Sequence, residues 1–151
     1  MLKIKIGDVM TREVFTLDAS TPAETAAWEL SVRGFTGAPV RDTRGRLVGV
    51  LSRSDLTDPE RVQGDLAGKV VQDLMTPALF SLDPSESVNR AIRLMVREGI
   101  RRVLVMEKNG RLVGIVTASD ILRQLAWGAV DADLPYGTVE VPAAGSRFAP
   151  M

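Results

Sequence analysis

The sequence has no cysteine and no histidine. The first absence excludes disulfides and a thiolate nucleophile; the second removes the imidazole base, and together they remove the soft-ligand zinc sites. Any catalysis would have to rest on carboxylates and lysines, which disfavours an enzyme without excluding one. The chain also lacks an excess of charge of either sign. Its 19 Lys and Arg residues balance 19 Asp and Glu residues, so no global field draws it toward nucleic acid or an anionic membrane, and any anion site has to be local. No apolar run approaches the ~18 residues that a membrane span needs. Met1 to Ile6 alternates charge with apolarity instead of forming a signal-peptide core, and the chain reads as cytoplasmic.

What is present is a repeat. At 151 residues, 45% apolar and 25% charged, the chain fits one globular domain or two small ones that share a core. The stretch Gly45-Arg46-Leu47-Val48-Gly49-Val50-Leu51-Ser52-Arg53-Ser54-Asp55 returns 65 residues later as Gly110-Arg111-Leu112-Val113-Gly114-Ile115-Val116-Thr117-Ala118-Ser119-Asp120. The same offset holds without a gap back to Met10-Thr11 against Met75-Thr76, and about a third of the aligned pairs are identical.

Local patterns place the elements. Alternation from Leu2 to Ile6 suits a short strand, Gly7 to Arg12 a loop, and Val14 to Leu17 an extended run. Thr21-Pro22-Ala23-Glu24 has the form of a capping box. The stripe Ala23, Ala26, Ala27, Leu30 predicts a helix over 22–33 that Gly34 stops. Strands follow at 38–41 and 47–51, joined by the turn Asp42 to Gly45, and a helix opens near Ser52. Residues 58–71 carry Asp58-Pro59, Gly64 and Gly68 with few large apolar side chains, and read as a linker. The second unit repeats this order, with Asp83-Pro84-Ser85-Glu86 as the cap, a helix ended by Gly99, strands at 103–106 and 112–116 around an Asn109-Gly110 turn, and a helix over 119–126. After Trp127 the repeat register is lost. Residues 128–151 are expected to form a loose tail, in which Val139-Glu140-Val141 is a possible docked strand.

Two copies in one register, each opening near Met-Thr and closing in Gly-x-hydrophobic-hydrophobic-(Ser/Thr)-x-x-Asp, resemble the cystathionine-β-synthase (CBS) domain pair, or Bateman module. The resemblance covers about Ile6 to Leu125. It implies an α/β (α+β) fold of two tandem repeats, 7–57 and 72–126, each β-α-β-β-α, packed sheet to sheet about a pseudo-twofold axis. It also implies clefts between the repeats that bind adenosine-containing ligands, and modules that pair into a disc-shaped homodimer. Packing logic agrees: each repeat has too few elements to cover both faces of its sheet, so the other repeat is the natural cover.

Ser52 with Asp55, and Thr117 with Asp120, admit two readings. A hydroxyl followed three residues later by an acid is a capping box and needs no ligand. Alternatively, a helix start behind a buried strand suits phosphate or ribose, and a carboxylate can accept hydrogen bonds from vicinal hydroxyls; in the family this Asp holds the ribose. Gly34-Phe35-Thr36-Gly37-Ala38-Pro39 is either a helix stop and turn, or a bare backbone against which a flat base could lie. Arg101-Arg102 is either a solvated pair or a phosphate contact. Trp28 and Trp127 are packing residues or, on the sharper reading, dimer contacts.

Family geometry sorts these residues into two clefts. Asp55 and Ser52 would face Met75, Phe80, Arg101, Arg102 and Val103, while Asp120 and Thr117 would face Met10, Phe15, Thr36, Gly37 and Ala38. The first cleft is then expected to be basic and the second roomy and apolar. The function implied is a non-enzymatic regulatory module without a catalytic cofactor. Its ligand would be an adenine nucleotide (AMP, ADP or ATP) or S-adenosylmethionine, and it would signal to an effector protein that the sequence does not name. The alternatives are a structural or assembly module with empty clefts and, more weakly, an enzyme using carboxylates at the clefts.

Overall fold

The computed structural model describes residues 4–128. Residues 129–151, with the 139–141 segment, and the start of the expected first strand at residues 2–3 lie outside the described residues, as does the side chain of Trp127.

Seven helices and six strands are described: α1 (Ile6–Val9), β1 (Leu17–Asp18), α2 (Ala23–Arg33), β2 (Gly37–Arg41), β3 (Leu47–Ser52), α3 (Arg53–Thr57), α4 (Pro59–Val62), α5 (Val71–Leu74), β4 (Ser81–Leu82), α6 (Val88–Glu98), β5 (Arg102–Met106), β6 (Leu112–Thr117) and α7 (Ala118–Gly128). They build two three-stranded sheets of identical topology, ordered β1-β2-β3 and β4-β5-β6. In each, the outer short strand runs parallel to the middle one and the last two form an antiparallel pair. The long helices α2 and α6 end as their sequences dictate, at Gly34 and Gly99 with φ of 70° and 66°, a left-handed conformation that costs glycine little.

The helix starts differ from expectation. Thr21 makes no side-chain cap; Pro22 occupies the cap position of α2, and the Ala23 amide donates to the Lys69 carbonyl at 2.8 Å. Correspondingly α6 starts at Val88, whose amide donates to the Ile4 carbonyl at 2.9 Å, with Ser87 rather than Asp83 as cap. A distant main-chain carbonyl has taken the orphan amide that a local hydroxyl was expected to satisfy. Ile6–Val9 form a helical turn, with the Asp8 carboxylate accepting from the Lys5 amide at 3.3 Å, where alternation suggests the end of a strand and then a loop.

These contacts reveal how the chain is threaded. Ile6, fully buried, belongs to the core formed by Val88, Ala91, Met95, Val103, Val105, Val116 and Ile121 of the second repeat. Val71 and Leu74, also fully buried, belong to the core of the first, with Leu17, Ala26, Leu30, Val40 and Leu51. Each repeat's opening segment therefore completes the other repeat. Thr11 exchanges two main-chain hydrogen bonds with Ile115 (2.8 and 3.0 Å), and Thr76 does the same with Val50 (2.9 and 3.0 Å). Segment 58–71 is part of this arrangement, since Val62 and Val71 are buried in the first core.

The sheets are buried on both faces. On β2 and β5 the residues Ala38, Val40, Val103 and Val105 point into the two cores, while Pro39 and Leu104 between them are fully buried yet outside both core clusters. Strand alternation turns these two to the opposite face, where the other repeat covers them. Gly49 and Gly114 permit the opening segments to lie close. A Cβ at Gly49 would stand 2.5 Å from the Thr76 carbonyl oxygen, and one at Gly114 would stand 3.0 Å from that of Thr11. Among the described residues, no helix is long and apolar enough to cross a membrane.

Candidate functional site

Two cavities of similar size open where the repeats meet. The first, about 390 Å³, lies over the start of α3 and is lined by Ser52 to Asp55 and Thr36 of the first repeat, and by Thr76, Phe80, Ile100, Arg101, Arg102 and Leu104. The second, about 430 Å³, lies over the start of α7. Thr117 to Asp120 and Arg123 form one side, Phe15, Phe35, Thr36 and Gly37 another, and Arg101 and Arg102 reach it as well. Both volumes fall at the lower end of the ~300–1,000 Å³ usual for small-molecule sites.

The carboxylates at the two helix starts are nearly buried. At α7 the capping box is complete: the Thr117 amide donates to Asp120 Oδ2 at 2.9 Å and the Asp120 amide donates to Thr117 Oγ1 at 3.1 Å. At α3 the Ser52 amide donates to Asp55 Oδ2 at 2.9 Å, and the Ser52 and Ser54 hydroxyls are 2.8 Å apart. In both, Oδ1 meets an arginine: Arg123 Nη1 lies 3.4 Å from Asp120, and Arg61 Nε lies 3.6 Å from Asp55. Arg61 also donates to the Leu74 and Met75 carbonyls at 3.0 and 3.1 Å, tying α5 to the helix that carries Asp55. Capping is thus a task both aspartates perform. It uses one oxygen of each carboxylate and leaves lone pairs for a second partner.

Arg102 crosses the pseudo-twofold. Its Nη2 donates to Thr36 Oγ1, and its guanidinium lies over Gly37, where an added Cβ would be 2.5 Å from Nη1. The residue 65 positions before Arg102 is Gly37 itself, so one repeat supplies the long cation and the other the bare backbone that accommodates it. Burial pulls the Arg102 guanidinium below its ordinary pKa; Asp55 acts in the opposite sense and the like charge of Arg101 adds to the lowering. It remains the charged species at neutral pH.

Of the residues expected at the first cleft, Ser52, Asp55, Phe80, Arg101 and Arg102 line it, whereas Met75 and Val103 do not. At the second, Phe15, Thr36, Gly37, Thr117 and Asp120 line the cavity, whereas Met10 and Ala38 do not. The two methionines lie under the opposite sheet edges, with Met75 Sδ against Gly49 and Met10 Sδ against Gly114. Ala38 and Val103, each 1% exposed, point into the cores, and their neighbours Pro39 and Leu104 face the cavities. The expected contrast between a basic and an apolar cleft also fails, because Arg101 and Arg102 line both.

Other lining residues were not singled out from the sequence. Phe35 packs on Phe15 with ring centroids 6.0 Å apart, and the Arg33 guanidinium carbon lies 4.2 Å from the Phe15 centroid, so the second cavity has an aromatic wall. The repeat offset matches Phe35 to Ile100 and Ser54 to Ser119, a signal that could have marked all four. Arg61, which lines neither cavity but pairs with Asp55, has no such signal, since its counterpart is Ala126.

The CBS domain family matches the chain twice, over residues 6–58 and 71–126. The chain belongs to this family. A curated relative, the uncharacterized protein MK0525 of Methanopyrus kandleri, is 32% identical over 127 residues, which cover 82% of this chain and 63% of the relative. The CBS pair thus spans less than two thirds of the curated relatives it matches first, and only 39% of MJ1232 of Methanocaldococcus jannaschii. Among solved structures, CBSX2 in complex with AMP, a CBS-pair protein from Arabidopsis thaliana, superposes with a TM-score of 0.66 at 32% identity, covering 79% of this chain and 93% of that one. The CBS domain pair of protein MJ0100, in complex with 5′-methylthioadenosine and S-adenosyl-L-methionine, gives a TM-score of 0.72 at 25% identity, covering 81% of this chain and 99% of that one.

Proposed function

We propose that this CBS pair is a non-enzymatic regulatory module of the cytoplasm that binds an adenine nucleotide or another adenosyl ligand in the clefts between its repeats. The observation that carries the reading is the pair of inter-repeat cavities, each flanked by a nearly buried aspartate and by Arg101 and Arg102. The AMP complex of CBSX2 supports the ligand class. In each cleft the aspartate oxygens left by the cap accept the ribose hydroxyls, and the arginines take the phosphate bidentately. Base stacking on Phe15 and Phe35 suits the second cleft. A ligand that holds the repeats in one relative orientation signals to an effector protein through its differential affinity for that orientation.

The test separates ligand binding from capping. AMP, ADP, ATP and S-adenosylmethionine are first ranked by thermal shift, and the best is titrated calorimetrically into wild type, Asp55→Ala, Asp120→Ala and the two Asp→Asn variants. Asparagine still accepts from the Ser52 or Thr117 amide and so retains the cap. Each variant is expected to lose one site. If the Ala variants lose only the ~0.5–2 kcal/mol of a missing cap while affinity stays unchanged, the aspartates are caps and no more.

A second reading, a dimeric assembly module, is favoured by Trp28 and Val32, which lie one turn apart on α2 and are 63% and 64% exposed. Neither is core, contrary to the blander expectation for Trp28. A second copy of the chain would cover them. Light scattering should then give a dimer for wild type and a monomer for Trp28→Glu; a monomeric wild type would remove this reading.

A further inference from the structure

The clefts are repeated but their cations are not. Arg101 and Arg102 line both cavities, and the positions 65 residues earlier are Thr36 and Gly37. A strict twofold would have placed four guanidiniums at this junction. These positions supply two, and at position 37 space explains why, since the Arg102 guanidinium occupies the volume over Gly37 that a second long side chain would need. Arg102 spends one donor on Thr36 Oγ1, out of the five a guanidinium carries. The Arg101 side chain makes no hydrogen bond or ion pair among the described residues.

We propose that the two clefts are antagonistically coupled for anionic ligands, because the Arg101–Arg102 pair serves both. This rests on the reading of the clefts as adenosyl-ligand sites and adds a rule for how they communicate. A phosphate in either cleft draws the guanidinium donors toward itself and neutralises them. A second phosphate then meets a cation pair already engaged, and a like charge across a partly buried junction where solvent screens poorly. The effect is reciprocal, as linkage requires. It is also partial, because each cleft retains a cation of its own, Arg53 at the first and Arg123 at the second. An uncharged nucleoside competes for none of these donors, so two nucleosides, or one nucleoside and one nucleotide, bind without the penalty. The pair of clefts therefore distinguishes ligands by total charge, favouring mixed occupancy over two nucleotides.

The test needs each cleft read separately. In a ¹⁵N-labelled protein, the Ser54 amide reports the first cleft and the Ser119 amide the second, and the full chain is titrated with AMP and, in parallel, with adenosine. With AMP, filling one cleft is expected to weaken the other about tenfold, which is ~1.4 kcal/mol and near the low end of the 5–150-fold range typical of coupling between sites. With adenosine the coupling stays within about twofold. Raising the salt to about 0.5 M shrinks the AMP coupling, and Arg102→Gln reduces it to below about threefold. Should that variant fail to fold, Arg101→Gln carries the same test at an exposed residue. Equal coupling for AMP and adenosine, or undiminished coupling in a folded glutamine variant, overturns the shared-cation proposal alone. If neither compound shifts either amide, the binding reading of the clefts falls, and this inference falls with it.

Discussion

The exchange of opening segments makes a counterintuitive prediction for Ile6→Ala. By sequence, residue 6 opens the first repeat; in space, its side chain is fully buried among Val88, Met95, Val103, Val105 and Val116 of the second. Truncation deletes three carbons from a site with no exposure, and the flanking main chain, held by the Ile6 and Gly7 amides on the Glu86 and Pro84 carbonyls at 2.9 Å, resists collapse into the space. Such substitutions cost about 2–5 kcal/mol, a large share of the ~5–15 kcal/mol by which domains are stable. Urea unfolding gives the total. Native-state hydrogen exchange locates it, and the loss of protection is expected first in β5 and β6, with β2 and β3 losing protection only through global unfolding. Protection lost in β2 and β3 but retained in β5 and β6 would refute the exchanged threading, as would a total cost under about 1 kcal/mol.

Gly49→Ala should be more destabilising than Gly114→Ala, within the ~1–3 kcal/mol usual for overpacking. The new Cβ at position 49 meets the fixed Thr76 carbonyl oxygen at 2.5 Å, whereas at 114 its nearest neighbour is the movable Met10 sulfur, at 2.6 Å; paired urea melts check the order. The carboxyl of Asp42 is held below its ordinary pKa by the Arg46 amide above all, with the Arg44 amide and the Arg46 side chain assisting against desolvation. A carboxylate lowered in the folded state contributes stability above its unfolded pKa, and that stability is lost as pH falls through the folded value. The stability of Asp42→Asn should therefore decline less steeply than that of wild type below about pH 4.

Much of this protein is readable from local rules. The repeat needs only a self-comparison. The two αL glycines, the Asn-Gly turn and the apolar runs of β3 and β6 follow from φ preferences and hydrophobic pattern, which act within a few residues. The caps at Ser52-Asp55 and Thr117-Asp120 are local too, and both form. Parity was harder. The place of Ala38 and Val103 in the repeat points to the clefts, yet a strand sends alternate residues to opposite faces, and one position separates Ala38 in the core from Pro39 at the cavity. Met10 and Met75 end helical turns instead of lying on strands, and their place under the opposite sheets is set by tertiary packing.

What tertiary structure alone decided involves contacts between segments far apart in sequence. The Ala23 amide found the Lys69 carbonyl instead of the Thr21 hydroxyl, and Ile6 completed the core of the repeat it does not begin. Arg102 reached 66 residues back to Thr36. None of these carries a local signature, because each satisfies its hydrogen bond or its burial only once the two sheets have met. The sequence sets Arg101-Arg102 of one repeat against Thr36-Gly37 of the other and so implies one basic and one apolar cleft, but packing the two copies against each other brings both arginines to both cavities.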